Sequence, residues 1–345
     1  MSFENNKKPV FSLILPLAAG AVSLSDTIES VLRQTFKDFE LIIMNASSPS
    51  PVLSHEQAKA AEDSRVRVLT AESSMSSGRQ EGGNVSPVSC RNAGLLAASG
   101  DYILYISSGD LLLPHALGTI YDRAIAPRHP DIVLFGLISA DSEEDVVASS
   151  YPAGFYKRET LEKGVFPYMI CDRRKKFYSA CFPPSLHNRA ISRRLLLRHY
   201  CREVRIVREE AHSFIHECLY FADSAYLIED PLYILSGLSR PNDFDPSFFE
   251  SNRLLYDYLN ERLGKYAVLS GQLPLLKTHL LEKAVSNAAL HPDGPAAAAS
   301  FIEAAVSDTF ALSDIKKTDL PLHERGFVSL LKSGHYGMAM RMVKK

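Results

Sequence analysis

Five cysteines are few for a chain of this length, and Cys90, Cys171, Cys181, Cys201 and Cys218 include no C-x-x-C pair of the kind that binds zinc or cycles redox state. Their odd number argues against a disulfide-stapled secreted fold and makes a reducing cytoplasm the simpler home. Excess charge is also missing. Thirty-eight basic against forty acidic residues leave a formal net charge of -2, so no global field draws the chain onto nucleic acid or anionic lipid. No run approaches the ~18 uninterrupted apolar residues of a membrane-spanning helix. Neither a Walker A loop nor a G-x-G-x-x-G fingerprint is present, which argues against kinase and dinucleotide-binding chemistry.

What is present is ordinary globular material. The 345 residues are 46% hydrophobic and 23% charged, enough to bury a sizeable core and long enough for one large domain plus an appendage. Lys7 and Lys8 ahead of the apolar run Val10 to Leu17 and the small residues Ala18-Ala19-Gly20-Ala21 imitate a secretion signal. The Pro16 break and the fit of the same run to a buried first strand favour the strand.

Phe11 to Leu15, Phe39 to Met44, Val66 to Leu69, Tyr102 to Ile106 and Ile132 to Leu137 are short, largely apolar runs that predict buried strands. Helical spacing of Ile28, Val31 and Leu32 behind Ser23 predicts a helix with Ser23 as N-cap. Further helical segments are expected around Leu95 and Ile120. That alternation implies crossovers and a mostly parallel sheet flanked by helices. Residues 46 to 87, rich in Ser, Pro and Gly, read largely as surface loops. Helical patterns are expected from Asn188 to Tyr200 and Ala211 to Ala222, and two short strands around Pro231. An α/β domain over 1–245 is followed by a C-terminal all-α region over 246–345, with helices at Phe248 to Leu263, Leu273 to Leu290, Ala296 to Phe310 and Phe327 to Val343.

Three segments, in order, resemble the family 2 glycosyltransferases that build bacterial surface polysaccharides. The first is FSLILPLAAGAVSLSDTIESVLRQTFKDFELIIMNASS from Phe11 to Ser48, with Ser30-Val31-Leu32-Arg33-Gln34-Thr35-Phe36 and Asp38-Phe39-Glu40-Leu41 its most specific part. The second runs from Arg91-Asn92-Ala93-Gly94-Leu95 through Gly100-Asp101-Tyr102 to Ser107-Ser108-Gly109-Asp110 and Pro114. The third, looser, comprises Asn188 to Leu197, Arg208-Glu209-Glu210 and Glu229-Asp230-Pro231-Leu232-Tyr233. The resemblance implies a GT-A fold, a nucleotide-diphosphate sugar donor, a saccharide or lipid-linked acceptor, and a divalent cation, Mg or Mn, at the loop after the central strand.

It also implies roles for particular residues. Pro16, Asn45, Arg91, Ser107, Ser108 and Asp110 fall at the family's nucleotide-sugar positions, and Glu209-Glu210 at its acidic pair, with Glu210 in the place of the base. Four positions depart from the pattern: Ala18, Ala46, Ser107 and Gly109 stand where polar or acidic residues are expected. Only Asp110 remains as a candidate metal ligand, one residue out of phase, and a role in capping the turn before Leu111 is expected instead. Loss of the cation removes several kcal/mol of transition-state stabilisation, about a thousandfold in rate. An inactive relative that binds sugar, or scaffolds an active glycosyltransferase partner, is therefore an alternative. So is a metal-independent enzyme that uses Arg91 and the basic run Arg173-Arg174-Lys175-Lys176.

Each residue has a plainer reading. Glu209 and Glu210 suit the positive end of a helix dipole, Arg91 suits a helix surface, and the basic run suits a solvated turn. His212 and His216, four apart, with His187 lack a clear third metal ligand. The terminal Met338, Met340, Met342 and Arg341, Lys344, Lys345 read as amphipathic packing, with peripheral docking on the inner face of the membrane as a second reading.

Overall fold

A computed structural model describes residues 8–17, 23–45, 55–70, 85–140, 144–146, 151–172, 179–236, 243–308, 312, 315–316 and 320–343. Two compact units divide the chain. One holds residues 1–159, 184–205 and 218–240, the other 160–183, 206–217 and 241–345. The division is therefore not the single cut after 245 that the composition suggests, because two earlier segments group with the C-terminal helices.

The first unit is built on one sheet. Phe11–Leu17 (β1), Phe39–Asn45 (β2), Val66–Thr70 (β3) and Tyr102–Tyr105 (β4) run parallel, with registers Phe11↔Phe39, Leu41↔Val66 and Phe11↔Tyr102. Leu111–Leu112 (β5), Ile132–Ser139 (β6), Glu144–Val146 (β7), Gly154–Lys157 (β8), Arg189–Ser192 (β9) and Ser224–Leu235 (β10) complete it. The order is β3-β2-β1-β4-β9-β6-β10-β5, with β7 on β6 and β8 on β10. β6 and β10 are parallel, whereas β9 lies antiparallel between β4 and β6.

Phe11, Leu13, Ile14 and Leu15 are fully buried, as a strand covered on both faces requires. Ser12 is polar in that run and is also fully buried. Its hydroxyl donates to Glu40 Oε1 (2.7 Å) and accepts from Gly100 N (2.8 Å). Burial pushes the Glu40 carboxyl up, but hydrogen bonds from Ser12, Ser99 and Arg67 outweigh it and hold the group below its ordinary value. A Cβ on Gly100 would lie 2.6 Å from Ser12 N, so this turn into β4 has no room for a side chain.

Several local expectations differ from what forms. Residues 189–192 are the strand β9, and the helix begins only at Arg193, with Ser192 accepting from Leu195 N. The two strands expected around Pro231 are one, β10, whose register to β6 shifts at Pro231. Its missing N–H is accommodated by that irregularity. Ser23 makes no side-chain cap: it lies at φ 51°, and its carbonyl accepts from Thr27 N. The 46–87 stretch includes the helix His55–Ala60, while 46–54 and 71–84, with Ala46, lie outside the described residues, as do Ala18 and Arg173 to Lys176.

In the second unit, the helices Phe248–Leu263 and Leu273–Ala288 bury Leu255, Leu259, Leu276 and Leu280, and Asn252 Nδ2 donates to Leu280 O (2.8 Å). Gln272, also buried, donates to Phe166 O and accepts from Ile170 N and Cys171 N. The segment 206–217 is held by Ser251 Oγ, which accepts from Val207 N (3.0 Å) and Arg208 N (2.9 Å), and by Arg262 donating to Glu217 Oε1 (2.6 Å). After Pro295–Asp308, the expected last helix is two, Leu322–Lys332 and Tyr336–Val343, parted at Gly334 with φ 74°. Glycine adopts that left-handed conformation without steric cost. Among the described residues no helix is long and apolar enough to cross a membrane, and all five cysteines are buried thiols outside any disulfide.

Candidate functional site

In an open α/β sheet, ligands bind beyond the carboxyl ends of the parallel strands. Here those ends carry Pro16 and Leu17 of β1, Asn45 of β2, and the turn after β4. Pro16 pairs with Met44 and Leu17 with Asn45, so the sheet brings two sequence-predicted positions, Pro16 and Asn45, to one end of neighbouring strands. The helix Pro87–Ala97 delivers Arg91 one turn from its start, where Ser86 accepts from Ser89 N. Arg91 is 9% exposed, which does not fit an ordinary surface arginine. Its positive charge acts on Tyr105 and Tyr233, opposing the burial that pushes both phenols up. Cys90 beside it is pushed up to about 11 by burial, so it is no nucleophile at neutral pH.

The turn at 107–110 closes by Asp110 N donating to Ser107 O (3.1 Å). Gly109 takes φ 91° and donates to Thr27 Oγ1 (2.9 Å). Asp110 does not cap the turn with its side chain as expected. At 1% exposure, its Oδ2 accepts from Tyr233 Oη (2.7 Å) and its Oδ1 from Ser236 N (2.9 Å) and Ser236 Oγ (3.0 Å). Ser107 N donates to the same Tyr233 hydroxyl (3.3 Å). A carboxylate with both oxygens engaged by three donors braces the loop against β10.

Ser107 Oγ lies 2.8 Å from His187 Nε2. The antiparallel pairing of β4 with β9, Tyr102 with Ser192 and Ile103 with Ile191, brings the chain that leaves β4 alongside the chain that enters β9. The imidazole stacks on Tyr233, with centroids 5.6 Å apart and planes 15° apart. Tyr233 and Ser236 were not recognisable as site residues, and His187 only as a stray histidine.

The loop's donor set does not fit a divalent cation. Magnesium and manganese take oxygen ligands, chiefly carboxylates. Ser107 and Gly109 carry none, and the carboxylate of Asp110 is committed to Tyr233 and Ser236.

The acidic pair belongs to the second unit. Glu209 has φ 52°, a left-handed value for a residue with a side chain, and its Oε1 lies 3.7 Å from Lys283 Nζ. Glu210 is half-buried just ahead of the helix Ala211–Phe221, and its carbonyl accepts from Ser213 N (3.0 Å) and Ser213 Oγ (2.7 Å). Behind the pair, His212 Nδ1 and His216 Nε2 meet at 2.9 Å. Burial, then His216, His279 and Lys283, hold His212 well below its ordinary value, and burial with Lys283 holds His279 down to about 3. His212 is thus a packing group bonded to His216, and His279 is held down beside it. Among the described residues no set of three or more His, Cys, Asp or Glu could hold a metal ion.

The parallel strands with helices on their faces and the turn at their carboxyl end make a GT-A fold. The chain belongs to Glycosyl transferase family 2, whose model matches residues 12–196. It is 32% identical over 117 residues to the O-antigen biosynthesis protein RfbC of Myxococcus xanthus, an alignment covering 33% of this chain and 8% of RfbC. It is 29% identical over 116 residues to the GalNAc(5)-diNAcBac-PP-undecaprenol beta-1,3-glucosyltransferase of Campylobacter jejuni, covering 34% of this chain and 35% of that protein. The crystal structure of S. aureus TarS 1-349 superposes with a TM-score of 0.64 at 14% identity, over 96% of this chain and 90% of that one.

Proposed function

We propose that the chain transfers a sugar from a nucleotide-diphosphate sugar to a saccharide or lipid-linked acceptor in cell-envelope polysaccharide synthesis, inverting the anomeric centre. Membership of family 2 carries this reading, and the polyprenol-linked acceptor named for the Campylobacter relative supports it. Glu210 is the base. Its carboxylate takes the acceptor hydroxyl proton as the oxygen attacks the anomeric carbon, and the bond from that carbon to the diphosphate oxygen breaks with its electron pair. Arg91 meets the charge left on the diphosphate. Asn45, Pro16 and Ser108 are assigned to the donor's nucleotide end, with Glu209 beside the base. The cysteine pattern and this acceptor class support a cytoplasmic location, peripheral to the inner face of the membrane.

The second reading is a non-catalytic relative that binds sugar or supports an active glycosyltransferase partner. The bracing of Asp110 by Tyr233 and Ser236 favours it, because the one carboxylate of that loop is engaged. Calorimetric titration with nucleotides and nucleotide sugars, with and without Mn²⁺, separates the two. Donor hydrolysis or transfer supports the enzyme; sugar binding without turnover against any acceptor supports the second reading.

A further inference from the structure

The position opposite the loop is filled by a residue able to do part of a cation's work. Ser107 presents a hydroxyl to His187 Nε2 at 2.8 Å, and Tyr233 supports the imidazole face. The ring is thus held at its edge and its face, from β4 on one side and β10 on the other. It remains half-buried rather than sealed, so a ligand at the strand ends can reach it.

The charges around it favour an anion. Asp110 is the loop's one carboxylate, and three donors already satisfy it. Tyr233 stays a neutral phenol, since burial and Asp110 both push it up. Arg91 supplies a positive charge from the helix Pro87–Ala97, close enough to act on Tyr233. An imidazole donates one N–H when neutral and two when protonated, and the serine hydroxyl can turn to donate as well. These are groups that phosphate oxygens accept from, in a loop whose side chains do not suit a metal.

We infer that His187, together with Ser107, binds the diphosphate of the sugar donor where family members hold a divalent cation, so that donor binding by this chain does not require metal. The inference rests on the glycosyl-transfer reading above and goes beyond it by naming the residue and the metal independence. His187 is a binding residue for the leaving diphosphate.

The test is calorimetry on the full chain with UDP and GDP and with uridine and guanosine, each in EDTA and in Mn²⁺. One of the diphosphates is expected to bind in EDTA, with Mn²⁺ changing its Kd less than about twofold. His187→Phe keeps a flat ring on Tyr233 but removes both nitrogens. It should weaken the diphosphate about tenfold or more, the usual scale for a charge-assisted hydrogen bond. The matching nucleoside should bind within about twofold of wild type, which shows that the variant is folded. Diphosphate binding only in Mn²⁺, or an unchanged diphosphate affinity in His187→Phe, overturns the role of His187 while leaving glycosyl transfer standing. Failure of every nucleotide to bind in either condition removes the donor site and with it the reading beneath the inference.

Discussion

The turn at 107–110 and the segment 207–213, the two acidic places that the sequence resemblance singles out, are built in opposite ways. In the first, one acid remains, and it is drawn inside to fasten β5 and β10. In the second, both acids remain half-buried at the head of a helix, and Glu209 tolerates a left-handed backbone there. A loop can therefore keep its shape whatever its chemistry, because shape is held by bonds to the frame. The bonds of Asp110 to Tyr233 and Ser236 are of that kind.

The largest effect that would sharpen this contrast is on turnover. Glu210→Gln should lower transfer by about 10²–10⁴-fold, the usual contribution of a general base, with donor Kd nearly unchanged in the same preparation; retained turnover would refute the base. Next, Asp110→Ala strands the Tyr233 hydroxyl and Ser236 N–H, and urea unfolding should register a loss of about 3 kcal/mol. A loss below 1 kcal/mol would mean that the acid is not a brace.

Acidification should act on the second unit. His212 and His279 are held neutral in the fold, His279 down to about 3, whereas in the unfolded chain both titrate near ~6.5. Below that pH the unfolded chain binds more protons. Their packing is thus fully stabilising above about 6.5 and is lost as pH falls toward the folded values, by up to about 1.4 kcal/mol per pH unit for each ring. Urea midpoints at a series of pH values should fall along this slope, and His279→Leu should flatten it. Smallest, Gly109→Ala imposes a side chain at φ 91° and should cost about 1 kcal/mol, a shift of a few degrees in Tm.

The strands of the first unit were legible because Phe11 to Leu15, Phe39 to Met44 and Ile132 to Leu137 are apolar on both faces. β9 was not, since Arg189-Ala190-Ile191-Ser192 offers only two apolar residues and runs straight into a helix-forming stretch. Nor was the break at Gly334, because the residues either side of it keep a helical rhythm. At the site, the loop and Arg91 could be found by local pattern, but their partners could not. His187 is 80 residues from Ser107, and Ser236 is 126 from Asp110. Pairings over such distances are decided by strand order, which no local pattern encodes.

The reversed strand β9 gives this sheet an addressing rule. In its two pairs with β4, Tyr102 with Ser192 and Ile103 with Ile191, the residue numbers keep a constant sum, and Ser107 and His187 share it. The partner of residue 107 is thus set by counting. On the inferred donor site, one codon change at 187 alters what the diphosphate meets, whereas inserting one residue directly ahead of Arg189 would move Asn188 toward that place and displace the imidazole without moving a strand.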